Sequence, residues 1–274
     1  AMLLLLIMLM GLLAPLLTSI DPAEIDPSNR NKVPGYESTV RDDDGNKVQR
    51  VAVMGTDSLG RDIYTRVVWG ARVSLTIGIA VAVLSVVFGL FIGLVAGYFR
   101  ALDGVVMRIM DGLMAVPAIL VAIALVSLSG ASLMTVIIAV TIPEIPRVVR
   151  LVRAIVLSIR EEPYVEAAIS VGTPSYLLLW RHVLPNTIAP LIVQATFIAG
   201  AAILLEAALS FLGVGIPPEI PTWGNIMAEG RSVFQILPHN ILYPAAFLTV
   251  TVLAINMLGD GLRDTLDPRM AKRV

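Results

Sequence analysis

The sequence contains no cysteine and few lysines and histidines, and each shortage excludes a class of function. Without cysteine, the 274-residue chain has no disulfide, no thiolate nucleophile and no cysteine-bound metal. The lysines Lys32, Lys47 and Lys272 are followed by Val, Val and Arg, so the phosphate-binding Gly-x-x-x-x-Gly-Lys-Ser/Thr loop is missing. His182 and His239 are too few and too far apart for a histidine-rich metal site. Any ATP chemistry that serves this chain is therefore expected on another subunit.

Charge is also scarce. Only 15% of the residues are charged, whereas a soluble domain usually carries about 25%. Hydrophobic residues make up 57% of the chain, and the mean hydropathy is +0.84. The net charge of −1 argues against nucleic acid as a partner. Neither Gly-x-Ser-x-Gly nor His-Glu-x-x-His occurs, which argues against an intramembrane hydrolase. This composition predicts a protein embedded in a lipid bilayer.

Six apolar runs are predicted to cross a bilayer, which takes about 20 residues each. The first lacks a basic leader and a small-x-small cleavage site, so it is interpreted as a retained anchor, with a signal peptide as the alternative. The opening Ala-Met would fit a chain that lacks a short leading tail. Six spans place both termini on the same side. The runs cover about 2–20, 73–98, 105–128, from 132 onward, 188–213 and 241–262.

The fourth run is irregular and leaves two interpretations open. Pro143 and Pro146 follow its apolar part, and Glu144 and Arg147 lie beside them. In the first interpretation, the helix leaves the membrane and continues inside, with Glu144 and Arg147 paired three residues apart. In the second, a proline-bent segment lines or gates a pathway.

Positive charge predicts which side of the membrane each loop faces. With the termini and the loop at 159–186 inside, eleven Lys and Arg residues lie inside and nine outside. Eight of the outer nine belong to segment 21–72, which is too long to obey the positive-inside rule. Without that segment, eleven Lys and Arg residues lie inside and one lies outside, which supports this orientation.

The outer segment 21–72 contains two patterns. The acidic run 42–46 predicts a solvated turn, and a calcium loop is less favoured because the spaced ligands and distal Glu of an EF-hand are missing. Further on, Asp57 is predicted to cap a helix that begins near Ser58. Its apolar residues recur at a helical period, so this helix is expected to lie along the membrane interface.

A polar-edged stretch between the fourth and fifth runs predicts a helix, a turn and a second helix. Pro163 suits the first turn of a short helix, and Gly172 suits the left-handed residue that closes it. Thr173 suits the cap of the next helix, with Pro174 at its first position. Pro185 is expected to end that second helix. The small side chains of this stretch leave a smooth face for a partner.

The same stretch resembles the EAA loop in membrane subunits of ATP-binding-cassette importers. Glu166-Ala167-Ala168, Gly172 and Pro185 keep the spacing of that signature, and His182 stands where the family at large has an aliphatic residue. Peptide-permease relatives often carry His there, which narrows the subfamily. By resemblance, the residues that couple to the ATPase are Glu166, Ala167, Ala168, Gly172, Arg181, His182, Leu184 and Pro185.

Other segments resemble the C-type subunit of dipeptide, oligopeptide and nickel permeases. They are 55–75, 107–117, 205–213, 221–224 and 264–269, whereas 28–50 matches no family segment. The resemblance implies an all-α, six-helix type I importer (MetI-like) permease fold. The implied organisation is a first span at 1–20, an extracytoplasmic segment at 21–72, a permease core at 73–262 with a coupling loop at about 159–186 and an outer loop at about 213–240, and a cytoplasmic tail at 263–274.

The resemblance also implies partners. A homologous, non-identical membrane subunit pairs with this one in the bilayer of a prokaryotic inner membrane. Two ATPase subunits carry the ATP and magnesium, so this chain itself is expected to be no enzyme and to hold no cofactor. An extracytoplasmic binding protein delivers the substrate, and the membrane subunits work by alternating access. Candidates for contact with that protein are Asp57, Arg61, Asp62 and Trp223.

The pathway candidates are Glu206, Glu144 and Arg147. Glu206 lies deep in the fifth run, where a lone acid should face protein or water. It lines the pathway or packs against a partner, and both interpretations stay open. The substrate is open too, with peptides favoured over nickel chelates or glutathione. The rival from another class is an ion-coupled secondary transporter, but no convincing inverted repeat is present. A non-transporting scaffold is a weaker third option.

Overall fold

The computed structural model describes residues 2–41 and 47–266, and most of these residues are helical. Two short 3₁₀ turns, at Pro27–Asn29 and Arg231–Val233, and a π-helical turn at Leu179–Val183 join the longer elements. The elements in chain order are α1 (Met2–Leu12), α2 (Ala14–Leu17), β1 (Tyr36–Arg41), β2 (Lys47–Ala52), α3 (Ile63–Tyr98), α4 (Arg100–Ala115), α5 (Ala118–Ser129), α6 (Leu133–Arg160), α7 (Pro163–Ser170), α8 (Ser175–Leu178), α9 (Leu184–Phe211), α10 (Trp223–Gly230) and α11 (His239–Leu266).

Three of the described helices are long and apolar enough to cross a membrane: α3, the continuous helix Ser175–Phe211 and α11. Helices α4 and α5 make a fourth span if the pair, bent by 87°, crosses as one unit. α1 is apolar but only 11 residues long, and α6 carries four arginines and a glutamate. The membrane-embedded helical architecture is thus as predicted, whereas the count of six spans stays a prediction.

Helix α3 forms the centre of the molecule and packs along α6 and α9. Its 36 residues reach about 54 Å at 1.5 Å per residue. Gly89, Gly93 and Gly97 repeat every four residues on the face toward α6. A Cβ atom on Gly93 or Gly97 would lie 2.7 Å from the Cβ of Val152 or Val156, so only glycine allows this approach. Such small-residue stripes let helices pack closely in a bilayer.

The outer segment differs from its prediction in two places. It contains an antiparallel hairpin, in which the register runs from Tyr36 opposite Ala52 to Arg41 opposite Lys47. The turn predicted at 42–46 lies outside the described residues. The helix predicted from Ser58 is wrong, because α3 begins only at Ile63 and the Asp62 side chain accepts from the Thr65 N–H at its start. α3 then continues into the membrane without a break.

Asp57 caps a turn instead of a helix. Its carboxylate accepts hydrogen bonds from the backbone N–H groups of Leu59 and Arg61, at 2.8 and 2.9 Å. It also pairs with the Arg61 guanidinium. An acid that serves both a turn and a neighbouring side chain holds the chain in a tight loop, so the amphipathic helix of the prediction does not form.

Helix α6 is held to α4 by two ion pairs. Arg150 Nη2 lies 2.5 Å from Asp111 Oδ1, and Arg153 Nη2 lies 2.6 Å from Asp103 Oδ2. Asp111 therefore faces α6, where the Arg150 guanidinium reaches it.

α6 continues through both of its prolines to Arg160. The pair predicted between Glu144 and Arg147 is present, at 3.3 Å between Oε2 and Nη1. The irregular fourth run is thus one unbroken helix.

Candidate functional site

The coupling loop starts as the sequence predicts. Pro163 opens α7, and Gly172 adopts the left-handed conformation, at φ +81°. The Gly172 N–H donates to the Ile169 carbonyl at 2.9 Å, and the Thr173 N–H donates to the Ala168 carbonyl at 3.1 Å. These two bonds form a Schellman motif, which satisfies the last carbonyls of the helix. The turn therefore depends on a residue without a Cβ at position 172.

Helix α7 buries almost nothing of its own. Only Val165 is buried, whereas Glu166 and Ala167 are exposed and Ala168 is half-buried. Val171, at the end of the helix, is 82% exposed. The other exposed apolar side chains on this loop are Tyr164, Ile169, Tyr176 and Trp180. A group of exposed apolar side chains outside the lipid-facing helices marks a surface that another molecule covers.

The second half of the loop is continuous with a membrane helix. The prediction that Pro185 ends a helix is wrong, because the chain is helical from Ser175 to Phe211. Pro185 is the second residue of α9 and follows the π-helical turn, in which the Leu184 N–H bonds the Leu179 carbonyl five residues back. The wider turn accommodates a proline that has no N–H of its own. The second half of the loop and α9 thus form one continuous helix.

The loop is anchored to the inner ends of α3 and α6. The Tyr98 hydroxyl donates to Ser175 Oγ at 2.9 Å. Arg160 donates to the Tyr98 carbonyl at 2.8 Å and lies over its ring, 5.3 Å from the centroid. His182 lies against Tyr164 with 5.8 Å between ring centroids, which joins the two halves of the loop.

The remaining predicted coupling residues differ in their exposure. Arg181 and Pro185 are exposed, whereas Leu184 is half-buried at the start of α9. Six of the eight thus lie on the loop between α6 and α9, and Leu184 and Pro185 begin α9.

The pathway candidates lie apart from that loop. Glu206 in α9 is fully buried, and its Oε1 accepts from Ser210 Oγ at 2.8 Å. Its Oε2 has no hydrogen-bond partner among residues 2–41 and 47–266. Glu144 is buried, whereas its partner Arg147 is exposed. Both acids are enclosed by this chain, and their role in a pathway stays a prediction.

A network of buried charges joins the outer segment to the outer loop. Arg61 Nε donates to Asp57 Oδ2 at 2.7 Å, and Arg61 Nη2 pairs with Glu229 Oε2. Arg66, which is fully buried, lies 3.3 Å from the other Glu229 oxygen and donates to the Pro218 carbonyl at 3.2 Å. Burial raises the pKa of Glu229, and Arg66 and Arg61 lower it only in part.

Sequence reasoning named Asp57 and Arg61 but missed Arg66 and Glu229. Both missed charges lie next to apolar residues in helices, and a charge in such a position signals a buried pair.

Trp223 completes this outer end. Its ring is fully buried, and its Nε1–H donates to the Val67 carbonyl at 3.1 Å. Of the four residues predicted to face a binding protein, Asp57, Arg61 and Trp223 are thus buried within the chain, and Asp62 is half-buried. Arg61 joins the outer segment to α10, and Trp223 joins α10 to α3. Their contact with a binding protein stays a prediction.

Comparisons with known proteins agree with this architecture. Residues 85–272 match the family described as "Binding-protein-dependent transport system inner membrane component". A probable peptide ABC transporter permease protein of Sinorhizobium fredii is 48% identical over 265 residues, which cover 97% of this chain and 86% of that protein. A dipeptide transport system permease protein, DppC, of Alkalihalophilus pseudofirmus is 42% identical and covers 96% of this chain and 82% of its own length.

A solved structure shares the fold. It is the MetNI methionine ABC transporter in an inward-facing conformation, which superposes with a TM-score of 0.59 at 18% identity. The match covers 73% of this chain and 95% of that one.

Proposed function

We propose that this chain, which belongs to the family of binding-protein-dependent transport system inner membrane components, imports peptides as one half of an ATP-driven transporter. A related membrane subunit forms the other half, two ATPase subunits dock from the cytoplasm, and an extracytoplasmic binding protein delivers the peptide. The peptide substrate is suggested by the relatives from Sinorhizobium and Alkalihalophilus, which are similar along almost the whole chain. Both termini and the loop between α6 and α9 lie in the cytoplasm.

The exposed face of α7 is the observation that carries the proposed coupling. α7 buries one side chain and presents Glu166, Ala167 and Val171 to the outside. Small residues let a groove on the ATPase approach closely, and Glu166 offers one charge to a basic partner. Only two residues separate α6 from α7, and α8 is continuous with α9. A push on the exposed face of α7 therefore moves the two long helices α6 and α9 together. Rocking of packed helices is a common form of alternating access.

Two matched substitutions test this docking face. Val171 and Ile236 are each 82% exposed, one on the coupling loop and the other in the outer loop. A charge at Val171 should disrupt an apolar contact with the ATPase, because a buried unpaired charge is costly. We therefore expect V171E to lose the ATPase subunits during purification of the complex, whereas I236E keeps them. Equal retention of the ATPase by both variants would reject the docking face, and peptide uptake driven by an ion gradient without any ATPase would reject the proposed function.

A further inference from the structure

An open cavity of about 680 Å³ lies between the inner parts of α6, α9 and α11. One face of α9 forms most of its wall, with Asn186, Pro190 and Gln194 spaced by four residues. Leu151 of α6 and Arg263 of α11 complete the wall. At 1.5 Å per residue, Asn186 and Gln194 are about 12 Å apart along the helix. The cavity therefore extends from the inner end of α9 well into the span.

This wall carries polar groups in helices that are otherwise apolar. Among residues 2–41 and 47–266, the side chains of Gln194 and Arg263 have no hydrogen-bond partner, and both line the cavity. Pro190 has no N–H, so it cannot bond the carbonyl of Asn186 one turn earlier. Polar groups left open within a membrane helix are tolerated where they line a water-filled space. The cavity thus offers donors and an acceptor to whatever enters it.

A second cavity on the other side of α9 provides the contrast. It measures about 570 Å³ and is lined by apolar side chains of α1, α3, α9 and α11, together with Thr196. The Thr196 hydroxyl already donates to the Val193 carbonyl at 2.7 Å. That surface suits lipid tails or an apolar helix. Of these two cavities, the one at Gln194 carries the unpartnered polar side chains, so the two sides of this part of α9 differ in composition.

We infer that the cavity at Asn186, Gln194 and Arg263 is the inner vestibule from which a peptide leaves. The inference rests on the proposed function. A peptide backbone carries a donor and an acceptor at each residue, which match the Asn186 carbonyl and the Gln194 amide. Its terminal carboxylate matches the Arg263 guanidinium, which binds carboxylates through two parallel hydrogen bonds. The vestibule binds the peptide backbone and the C-terminal carboxylate, so it does not select among peptide side chains.

Cysteine labelling of the complete transporter tests the vestibule, since the chain has no cysteine of its own. The variants are Q194C and, as control, I192C, which lies at the same depth on the apolar side. In nucleotide-free inverted membrane vesicles, a charged methanethiosulfonate reagent should label Q194C and spare I192C. Millimolar alanyl-alanine, added to the exposed cytoplasmic face, should slow the labelling of Q194C. This protection bypasses the binding protein.

The role of Arg263 is tested by the same protection of Q194C from labelling. Alanyl-alanine should protect Q194C better than its C-terminal amide does, because only the free acid pairs with Arg263. R263Q should raise the half-protecting concentration of the acid about tenfold, as expected for the loss of a charged hydrogen bond, and should abolish the preference for the acid. R263K should keep part of that preference.

Three results would overturn the vestibule. They are an unlabelled Q194C, equal labelling of Q194C and I192C, and labelling that the dipeptide does not slow. ATP-driven uptake of alanyl-alanine, delivered by the binding protein, is measured on the same complex without cysteines. If that uptake is normal while any of the three results is found, the vestibule is rejected and the proposed function stands. If that complex transports no peptide at all, the proposed function fails first.

Discussion

The two ends of this molecule differ in what covers their apolar side chains. At the outer end, Trp223 is fully buried beneath α3, and charges that reach the interior are paired within the chain. At the inner end, Trp180 is 72% exposed. The outer end is therefore completed by the chain itself, whereas the inner end leaves surface for a partner. On the proposed function, the outer end acts as a fixed cap and the inner loop as a contact that moves.

The outer ion pairs fix a geometry more than they add stability. Moving charges out of water costs several kcal/mol each, and their attraction returns this only when the geometry is good. Arg61 joins two acids, Asp57 in the outer segment and Glu229 in α10, and Glu229 lies 168 residues beyond Arg61 in the chain. Loss of one member leaves the others buried without a partner. Such a network holds one arrangement of the outer segment on α3 and penalises the alternatives.

The two tryptophans give the largest expected effect. W223A should destabilise the chain by about 3–5 kcal/mol, because it removes a buried ring and leaves a cavity. W180A should change the stability of the chain by about 0.5 kcal/mol or less, since an exposed side chain is removed. Thermal unfolding of the detergent-solubilised subunit measures both. Equal losses of stability in the two variants would contradict the contrast between a closed outer end and an open inner loop.

The buried charges give the next largest effect. R61A should cost about 3 kcal/mol, because it leaves Asp57 and Glu229 buried without their shared partner. R50A is the matched control in the same outer segment: Arg50 pairs with Glu24 at 2.9 Å, but both side chains are about one-third exposed. Exposed pairs contribute about 0–1 kcal/mol. Thermal unfolding should therefore separate the two variants, and a similar shift in both would show that the Arg61 network is not buried in the assembled protein.

Two glycines at opposite ends of the molecule test whether backbone strain in the coupling loop reduces the coupling to the ATPase. Gly172 and Gly213 have φ of +81° and +79°, and a Cβ atom on either meets nothing within 4 Å. G172V and G213V should therefore carry the same conformational cost, about 1–2 kcal/mol. Only G172V should lose substrate-stimulated ATPase activity, because only it distorts the docking turn. Wild-type stimulation in G172V, or an equal loss in G213V, would remove the coupling role of this turn.

The sequence predicts the inner loop better than the outer end. Pro163 and Gly172 act through local backbone rules, so their positions alone predict the helix start and the left-handed turn. The error at Pro185 arose because the π-helical turn before it has no sequence signal of its own.

At the outer end, the Asp57 carboxylate pairs with Arg61 instead of capping a helix. Arg61 also pairs with Glu229, which lies far from it in the sequence. The hairpin at Tyr36–Ala52 was also missed, because its two strands alternate only weakly between polar and apolar side chains. Local signals are thus readable from the chain, whereas long-range pairing is not.

Substitution of Glu206 is expected to give the smallest effect. Glu206 lies in α9, which runs from the coupling loop to the buried outer end. Its neighbour Ala207 lies under Gly224 of α10, where an added Cβ would come within 2.7 Å of the Ala207 Cα. E206Q keeps the shape and the acceptor for Ser210 Oγ, so we expect a loss of stability below about 1 kcal/mol and nearly normal uptake. E206L should cost about 1–3 kcal/mol, since the Ser210 hydroxyl loses its partner. If E206Q instead abolishes uptake while assembly and basal ATPase activity persist, the carboxylate contacts the substrate, and the outer part of α9 belongs to the moving pathway and not to the fixed cap.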